Sequence, residues 1–456
     1  MNILLINSPG KISFISPPLG LLYIAAALRE DGHKIYITDY NLEKLDYSKI
    51  INFILEKNIK TVGISIVTPK VYNAIELANA IREKLPKISI IAGGPHPTLM
   101  SEQLLKDCNA FDYIIQREGE WRVRELINRL EKNIPIDDIE GLTFRKNGKI
   151  INNHAQTFIQ NLDSLPMPAR DLIDILKYSD YMKTGVYPVT TMMTSRGCPF
   201  QCIYCSKPVT GFGFRAISPE NVIKEIESLI DKYGVKEIIF YDDSFTIHRP
   251  RLMEICDLII QKEIKVRWQC ETRVNIVDEE LLKKMKQAGC YLIAYGIESG
   301  SNRVLQLLRK GITTDQVKKA VDFTKKAGIQ VLGYFMLGIP GETEEEIRQT
   351  IKFSKNLNID FAQFSIATAY PGTVLYQIAE EQNKITGDWS KSMYALGGKP
   401  MISLSDVPID KLYYYTKKAY RSFYFRPSYV WKKMAAIRSI GDLLYNFKGL
   451  KTLLKI

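Results

Sequence analysis

Apolar runs alternate with amphipathic stretches twice along this chain, and that alternation constrains its fold more than any other feature. In residues 1–131 the apolar runs fall at 3–7, 34–38, 61–67, 88–92 and 112–116, with helical patterns at 20–31, 47–57, 70–84, 101–106 and 119–131. Strand-length runs separated by single amphipathic helices form βα units, whose strands pair in parallel between two helical layers. An α/β, doubly wound, Rossmann-like domain is therefore expected over 1–131. Residues 132–188 break the rhythm with Pro135, Pro166, Pro168 and Pro188 and a hairpin signal at Asn147-Gly148; they read as a linker with a small β element. A second series has strands at 189–194, 236–241, 265–271, 291–297, 330–337 and 361–366, with helical patterns at 218–233, 249–262, 278–288, 302–309, 314–327 and 343–356. Six units predict a partial (β/α)6 barrel over 189–370, with its active site on the loops that leave the strands. Residues 371–456 read as a helical C-terminal region.

The first barrel strand runs into Ser195-Arg196-Gly197-Cys198-Pro199-Phe200-Gln201-Cys202-Ile203-Tyr204-Cys205. Three thiolates spaced C-x3-C-x2-C on a tight loop can hold three corners of a cubane iron–sulfur cluster. Electron-transfer clusters usually close all four positions with cysteine. No fourth cysteine lies nearby, so one iron keeps an open position. A zinc site wants four N/S ligands, and no Cys or His is close enough to complete one. Three cysteines cannot all pair in disulfides. The other four, Cys108, Cys256, Cys270 and Cys290, are scattered singly, as buried core thiols are.

This loop, with Gly before it, Pro within it and an aromatic ahead of its last cysteine, closely resembles the signature of the radical S-adenosylmethionine (radical SAM) enzymes. The resemblance implies a 4Fe-4S cluster on Cys198, Cys202 and Cys205, and S-adenosylmethionine chelated to the open iron. Further stretches at strand ends follow the family's order: Tyr241-Asp242-Asp243-Ser244-Phe245, Glu271-Thr272-Arg273, Gly296-Ile297-Glu298-Ser299-Gly300 and the run from Gly333 to Thr343. By the resemblance, Glu271 meets the ribose or amino group, Arg273 the carboxylate and backbone near Gly338 the adenine, with Glu298 and Tyr204 also at this cofactor. Tyr204, Tyr295 and Tyr370 are candidate neighbours of the substrate. A metal pair on Asp242 and Asp243 is disfavoured, because no His accompanies them.

Ahead of the barrel, Pro17-Pro18-Leu19-Gly20 opens the first helix and the fourth strand ends in Gly93-Gly94-Pro95-His96-Pro97. Paired glycines at a strand end let backbone approach a ligand closely. Together these stretches resemble the cobalamin-binding domain of one radical SAM subgroup. The resemblance implies cobalamin as a further cofactor, held near Thr68, Gly93, Gly94 and Pro95. Many cobalamin proteins place a cobalt-ligating His after the first strand; here that loop is Asn7-Ser8-Pro9-Gly10. His33 follows the first helix and reads as a turn residue. The subgroup implies a C-methyltransferase acting on a small-molecule or lipid-like substrate. A radical cyclase, ring-contracting or oxidative enzyme is the alternative, and an electron donor such as ferredoxin or flavodoxin the partner. An RNA methylthiotransferase would need a second cysteine triad in the first domain, where Cys108 stands alone, so nucleic acid is not favoured.

The net charge is +12, and its location is informative. From 411 to 456 there are eleven Lys or Arg against one acid, Asp442, interleaved with eleven aromatic residues. Cations with rings suit a membrane surface. Residues 411–428 are expected to cap the barrel, and 429–456 to make peripheral membrane contact. The chain starts on a buried strand, carries no leader and has no spanning segment, so a cytoplasmic location is expected, or one peripheral at the inner face of the membrane.

Overall fold

The computed structural model describes residues 1–10, 15–182, 186–385, 389 and 403–435. The first sheet has strands β1 (Asn2–Asn7), β2 (Lys34–Asp39), β3 (Thr61–Ser65), β4 (Ser89–Gly93), β5 (Tyr113–Ile115), β6 (Leu142–Lys146) and β7 (Lys149–Asn152), in the order β2-β1-β3-β4-β5-β6-β7. The first five pair in parallel. Their order, 2-1-3-4-5, reverses direction between β1 and β3, and ligands of such sheets bind beyond the strand C-termini at that point. Two apolar clusters line its faces: Leu4, Val62, Leu77 and Ile90 on one, Ile3, Leu5, Ile91 and Leu126 on the other.

The hairpin at Asn147-Gly148 forms as expected but does not belong to a linker. β6 pairs antiparallel with β5, and β7 with β6, so both extend the first sheet at its β5 edge. Gln116, at the exit of β5, donates to Thr143 Oγ1 and to Asn152 Oδ1 (2.8 and 2.7 Å) and thereby joins the hairpin to the domain. A proline-rich flank hides that pairing, because proline marks the turns and not the strands between them.

In the second sheet, β8 (Val189–Met192) is followed by a small antiparallel pair, β9 (Ser195–Arg196) with β10 (Arg215–Ala216). Then come β11 (Glu237–Phe240), β12 (Arg267–Thr272), β13 (Cys290–Glu298), β14 (Gln330–Leu337) and β15 (Phe361–Ile366). The six long strands are all parallel, in the order β15-β14-β13-β12-β11-β8. Chain order is sheet order, as in an open barrel, with β8 and β15 at the edges. The core packs between this sheet and its helices, around Trp268, Phe240, Phe245, Phe335 and Phe364. Cys256, Cys270 and Cys290, far apart in sequence, meet in this wall, and burial pushes the thiols of Cys256 and Cys270 up.

An open edge strand needs cover. The helix Ile409–Tyr424 supplies it for β15. Tyr420 OH accepts from Phe364 N and donates to Phe364 O (3.1 and 3.0 Å), and Tyr424 OH does the same at Ala362 (3.1 and 2.7 Å). Two tyrosines of the aromatic stretch thus complete a β ladder. Past it, in the helix Pro427–Ala435, Trp431 and Met434 are 75% and 60% exposed. Residues 436–456, most of the stretch expected at a membrane, lie outside the described residues. Among the described residues no helix is long and apolar enough to cross a membrane.

Candidate active site

The cysteine loop leaves β8 at the barrel rim. Cys198 and Cys202 are buried and Cys205 half-buried, and no disulfide joins any of them. The loop is held from below by adjacent aspartates at the exit of β11. Asp242 accepts from Thr194 N (2.8 Å), Thr194 Oγ1 (2.7 Å) and Ser195 Oγ, and Asp243 accepts from Gly197 N (2.9 Å). These carboxylates shape the loop that carries the thiols. Among the described residues no three His, Cys, Asp or Glu side chains converge as a single metal ion requires. The loop offers three thiols, with no fourth Cys or His beside them in the sequence, which fits a cluster with one open corner.

Beside the thiols lies a polar group that the sequence only partly foretold. Tyr204 OH donates to Glu298 Oε1 (2.9 Å), and Lys310 Nζ donates to both Tyr204 OH (2.8 Å) and Glu298 Oε1 (2.9 Å). Burial, then the Glu298 carboxylate, push the Tyr204 phenol well above its ordinary range. Glu298 sits at φ +65°, an uncommon conformation for a non-glycine residue. Gly296 leaves room for the ion pair: a Cβ there would lie 2.6 Å from Glu298 Oε1 and 2.7 Å from Lys310 Nζ. Lys310 was not singled out from the sequence. Further across the sheet, Glu271 Oε1 accepts from Tyr334 OH (2.8 Å). Glu271 remains solvent-accessible, yet the protein around it raises its carboxyl pKa by desolvation. Arg273 is buried and donates to Cys202 Sγ (3.4 Å). Gly338 N donates to Glu342 Oε2 (2.6 Å), so that N–H is already engaged; burial raises the Glu342 carboxyl to about 7. Tyr295 faces away from this site, with its hydroxyl 2.8 Å from Thr324 Oγ1 in the core. Tyr370 lies beyond β15, where its carbonyl accepts from Thr373 Oγ1 (2.7 Å).

On the first domain, Gly93, Gly94 and Pro95 lie at the exit of β4, where Pro95 begins the short helix Pro95–Leu99. Gly94 has φ +100°, and a Cβ there would come within 3.0 Å of Ile66 O. The chain can therefore turn against β3 only with glycine at 94. Thr68 Oγ1 stands 3.3 Å from His96 Nδ1, and both residues are buried. His33 lies at the opposite end of the sheet, between the chain's amino group (3.0 Å) and Asn128 Oδ1 (3.1 Å). Lys70 braces the loop after β1 by donating to Ser8 O (3.1 Å) and Asn41 Oδ1. Burial lowers it to about 8.

Burial holds the His96 imidazole down at about 4. It is neutral when folded and takes a proton more readily when unfolded. The stabilisation is full above about pH 6.5 and lost as pH falls through 4, on the order of 3 kcal/mol in all. The first domain of His96→Asn is expected to lose less stability than wild type between pH 7 and pH 4.5. Urea melts at the two pH values check this, and equal losses refute it.

An apolar cavity of about 210 Å³ opens beside Gly93 and Gly94 and runs between Leu5, Ile24, Ile91 and Val123, with Gly20, Gly63 and Gly119 on its wall. A wall of glycine and aliphatic groups suits a broad, mostly apolar ligand. The cavity also reaches Glu118, Glu120 and Arg196, and so touches the cysteine loop. There the domains are joined by buried charge. Arg196 donates to Glu118 Oε1 (3.0 Å) and Glu120 Oε1 (2.6 Å), and Arg215 donates to both oxygens of Glu118 (2.8 and 2.9 Å). The helix Pro95–Leu99 packs on Lys207–Thr210, just past the thiols. The cradle and the cysteine loop therefore share a wall.

Residues 10–127 match the B12 binding domain and residues 192–354 the Radical SAM superfamily. An uncharacterised methyltransferase of Pyrococcus horikoshii is 38% identical over 94% of this chain and 93% of its own. The chain belongs to the radical SAM superfamily. An anaerobic magnesium-protoporphyrin IX monomethyl ester cyclase of Cereibacter sphaeroides is 29% identical over 91% of this chain and 69% of its own. Among solved structures, the radical S-adenosylmethionine methyltransferase TsrM of Kitasatospora setae, with cobalamin and a [4Fe-4S] cluster bound, shares the fold. Its TM-score is 0.72 at 19% identity, over 83% of this chain and 78% of that one. This radical SAM protein is an enzyme whose cofactors are a 4Fe-4S cluster, S-adenosylmethionine and cobalamin.

Proposed function

We propose that this enzyme transfers a methyl group to an unactivated sp3 carbon of a small-molecule or lipid-like substrate. One observation carries the reading: the glycine cradle of the B12 binding domain and the cysteine loop of the barrel share a wall. When bound, the cluster and S-adenosylmethionine supply a carbon-centred radical able to take hydrogen from such a carbon, and cobalamin supplies the methyl group. Cys198, Cys202 and Cys205 would hold three irons. Tyr204, Glu298 and Lys310 form a buried donor and acceptor set beside them, suited to the ammonium and carboxylate of S-adenosylmethionine. Glu271, Arg273 and the backbone at Gly338 would meet its ribose, carboxylate and adenine. Gly93 and Gly94 line the cradle, and Pro95 and Thr68, just past the ends of β4 and β3, would complete the cobalamin site.

Reduced protein given S-adenosylmethionine, cobalamin and a cell lipid extract is expected to form S-adenosylhomocysteine, 5′-deoxyadenosine and methylated product together. The 29% identical cyclase favours a second reading, cyclisation. That reading gives 5′-deoxyadenosine without S-adenosylhomocysteine, and such a result would reject methyl transfer. A low-potential one-electron carrier, ferredoxin or flavodoxin, would feed the cluster. Exposed Trp431 and Met434 and the basic residues that follow support peripheral contact with an anionic membrane. A chain truncated at Pro427 should then sediment less with anionic vesicles than the full chain, and equal sedimentation removes the contact.

A further inference from the structure

Among the described residues, Arg273 is a buried guanidinium beside the cysteine loop with no carboxylate in an ion pair with it. Its contacts are few and fixed. Nε donates to Asn275 Oδ1 (3.2 Å), Nη2 to Lys310 O, and Nη1 to Cys202 Sγ (3.4 Å), while the group stacks over Phe200 with 3.7 Å to the ring centroid. The residue is only 5% exposed. Neighbouring Lys310, by contrast, is paired with Glu298 (2.9 Å). Burying a cation without an anion is costly. The anion this geometry provides for is the thiolate of Cys202.

We propose that Arg273 sets the reduction potential of the cluster, acting through its hydrogen bond to the Cys202 sulfur. The inference rests on the cysteine loop holding the cluster, and it adds to Arg273 a role that the carboxylate contact does not include. Hydrogen bonds to the sulfurs, net charge and solvent exposure tune iron–sulfur potentials. A cluster that gains one electron from the external one-electron carrier, which is oxidised in the same step, gains one negative charge. A fixed cation donating to a ligand sulfur favours that reduced form and raises the potential. Phe200, lying across the guanidinium, screens it from water and preserves the effect. Asn275 and the Lys310 carbonyl fix the fork, so the donor cannot swing away when the charge changes. Arg273 is in this sense a positioning and tuning residue that acts through Cys202.

The test is a redox titration of the full-length protein, reconstituted with iron, sulfide and cobalamin and without S-adenosylmethionine. The cluster's own paramagnetic signal is followed apart from that of cobalt. Arg273→Gln, at wild-type iron content, is expected to show about tenfold less reduced cluster at the same poise, a fall of about 59 mV for a one-electron couple. Arg273→Lys, which keeps the charge but loses the fork, should move in the same direction by less. It carries the test if the glutamine variant takes up no iron. Both variants titrating at the wild-type potential would overturn the proposal. If S-adenosylmethionine affinity fell while the potential stayed fixed, Arg273 would be a carboxylate holder alone. A wild-type chain that assembles no cluster would reject the cysteine assignment itself.

Discussion

Gly197→Ala is expected to leave the enzyme without its cluster, although every cysteine remains. Gly197 has φ +84°, and a Cβ there would come 2.1 Å from Gly213 O and 3.2 Å from Thr210 O. Those atoms are backbone, so no side chain can rotate aside. Left-handed backbone at a non-glycine residue adds about 1 kcal/mol or more of strain. The loop must move, and it would break the bond from Gly197 N to Asp243 (2.9 Å) that sets the position of Cys198 one residue on. Iron and sulfide content should fall to background, and formation of 5′-deoxyadenosine with it. Cobalamin binding should fall less than iron content, because Gly93, Gly94 and the walls the first domain gives the cavity are untouched. Gly213→Ala is the control. Its Cβ would meet nothing within 4 Å, so that variant should keep its iron. Full iron content in Gly197→Ala would show that the loop tolerates another path and that Asp243 is not needed to shape it.

The same residues show what a sequence discloses and what it withholds. Both βα series were legible because strands such as β1 and β11 are buried on two faces and read as apolar runs, while the helices between carry an apolar stripe. Thr343 with Glu346 even marked a helix start, and both bonds of that capping box form. Cys198, Cys202 and Cys205 were legible because their chemistry is carried by spacing along one loop. Lys310 and Glu298 were harder. They are twelve positions apart and meet only because the turn after β13 folds back over the rim. Asp242 and Asp243 were visible as a pair at a strand exit, but only three-dimensional contact shows that they brace the thiols. The pairing of Glu118 with Arg196 and Arg215 is the extreme case. These residues are 78 and 97 positions apart and lie on different domains, so no periodicity links them. Tyr420 and Tyr424 fall in the stretch expected to cap the barrel, but composition does not say which rings do so; their hydroxyls are committed to the β15 backbone.

That buried junction gives the largest expected loss of stability. Glu118 accepts from Arg196, from Arg215 twice and from Ile159 N (2.6 Å). The side chains of Glu118, Arg196 and Arg215 are 5 to 7% exposed. Removing the carboxylate in Glu118→Ala leaves Arg196 with Glu120, but leaves Arg215 with only the carbonyls of Ile159 and Thr210 (both 2.7 Å) as acceptors. Breaking a buried pair from one side costs roughly 3 to 5 kcal/mol, because the remaining charge stays desolvated. The urea midpoint should drop accordingly with little change in m. High salt should not erase the difference, since screening acts weakly on buried groups. The intact network is not for that reason a large net stabiliser. Taking four charges out of water is itself unfavourable, and Glu118→Leu combined with Arg215→Met should recover part of what Glu118→Ala loses. What the network supplies beyond stability is registry. Arg196 is two residues from Cys198, so its pairing with Glu118 and Glu120 ties the cysteine loop to the wall of the B12 binding domain. The double variant is then expected to regain its urea midpoint more fully than its rate of methylated product. If Glu118→Ala unfolds within about 1 kcal/mol of wild type, the smaller cost expected of an exposed ion pair, water reaches this junction and it does not hold the two domains together.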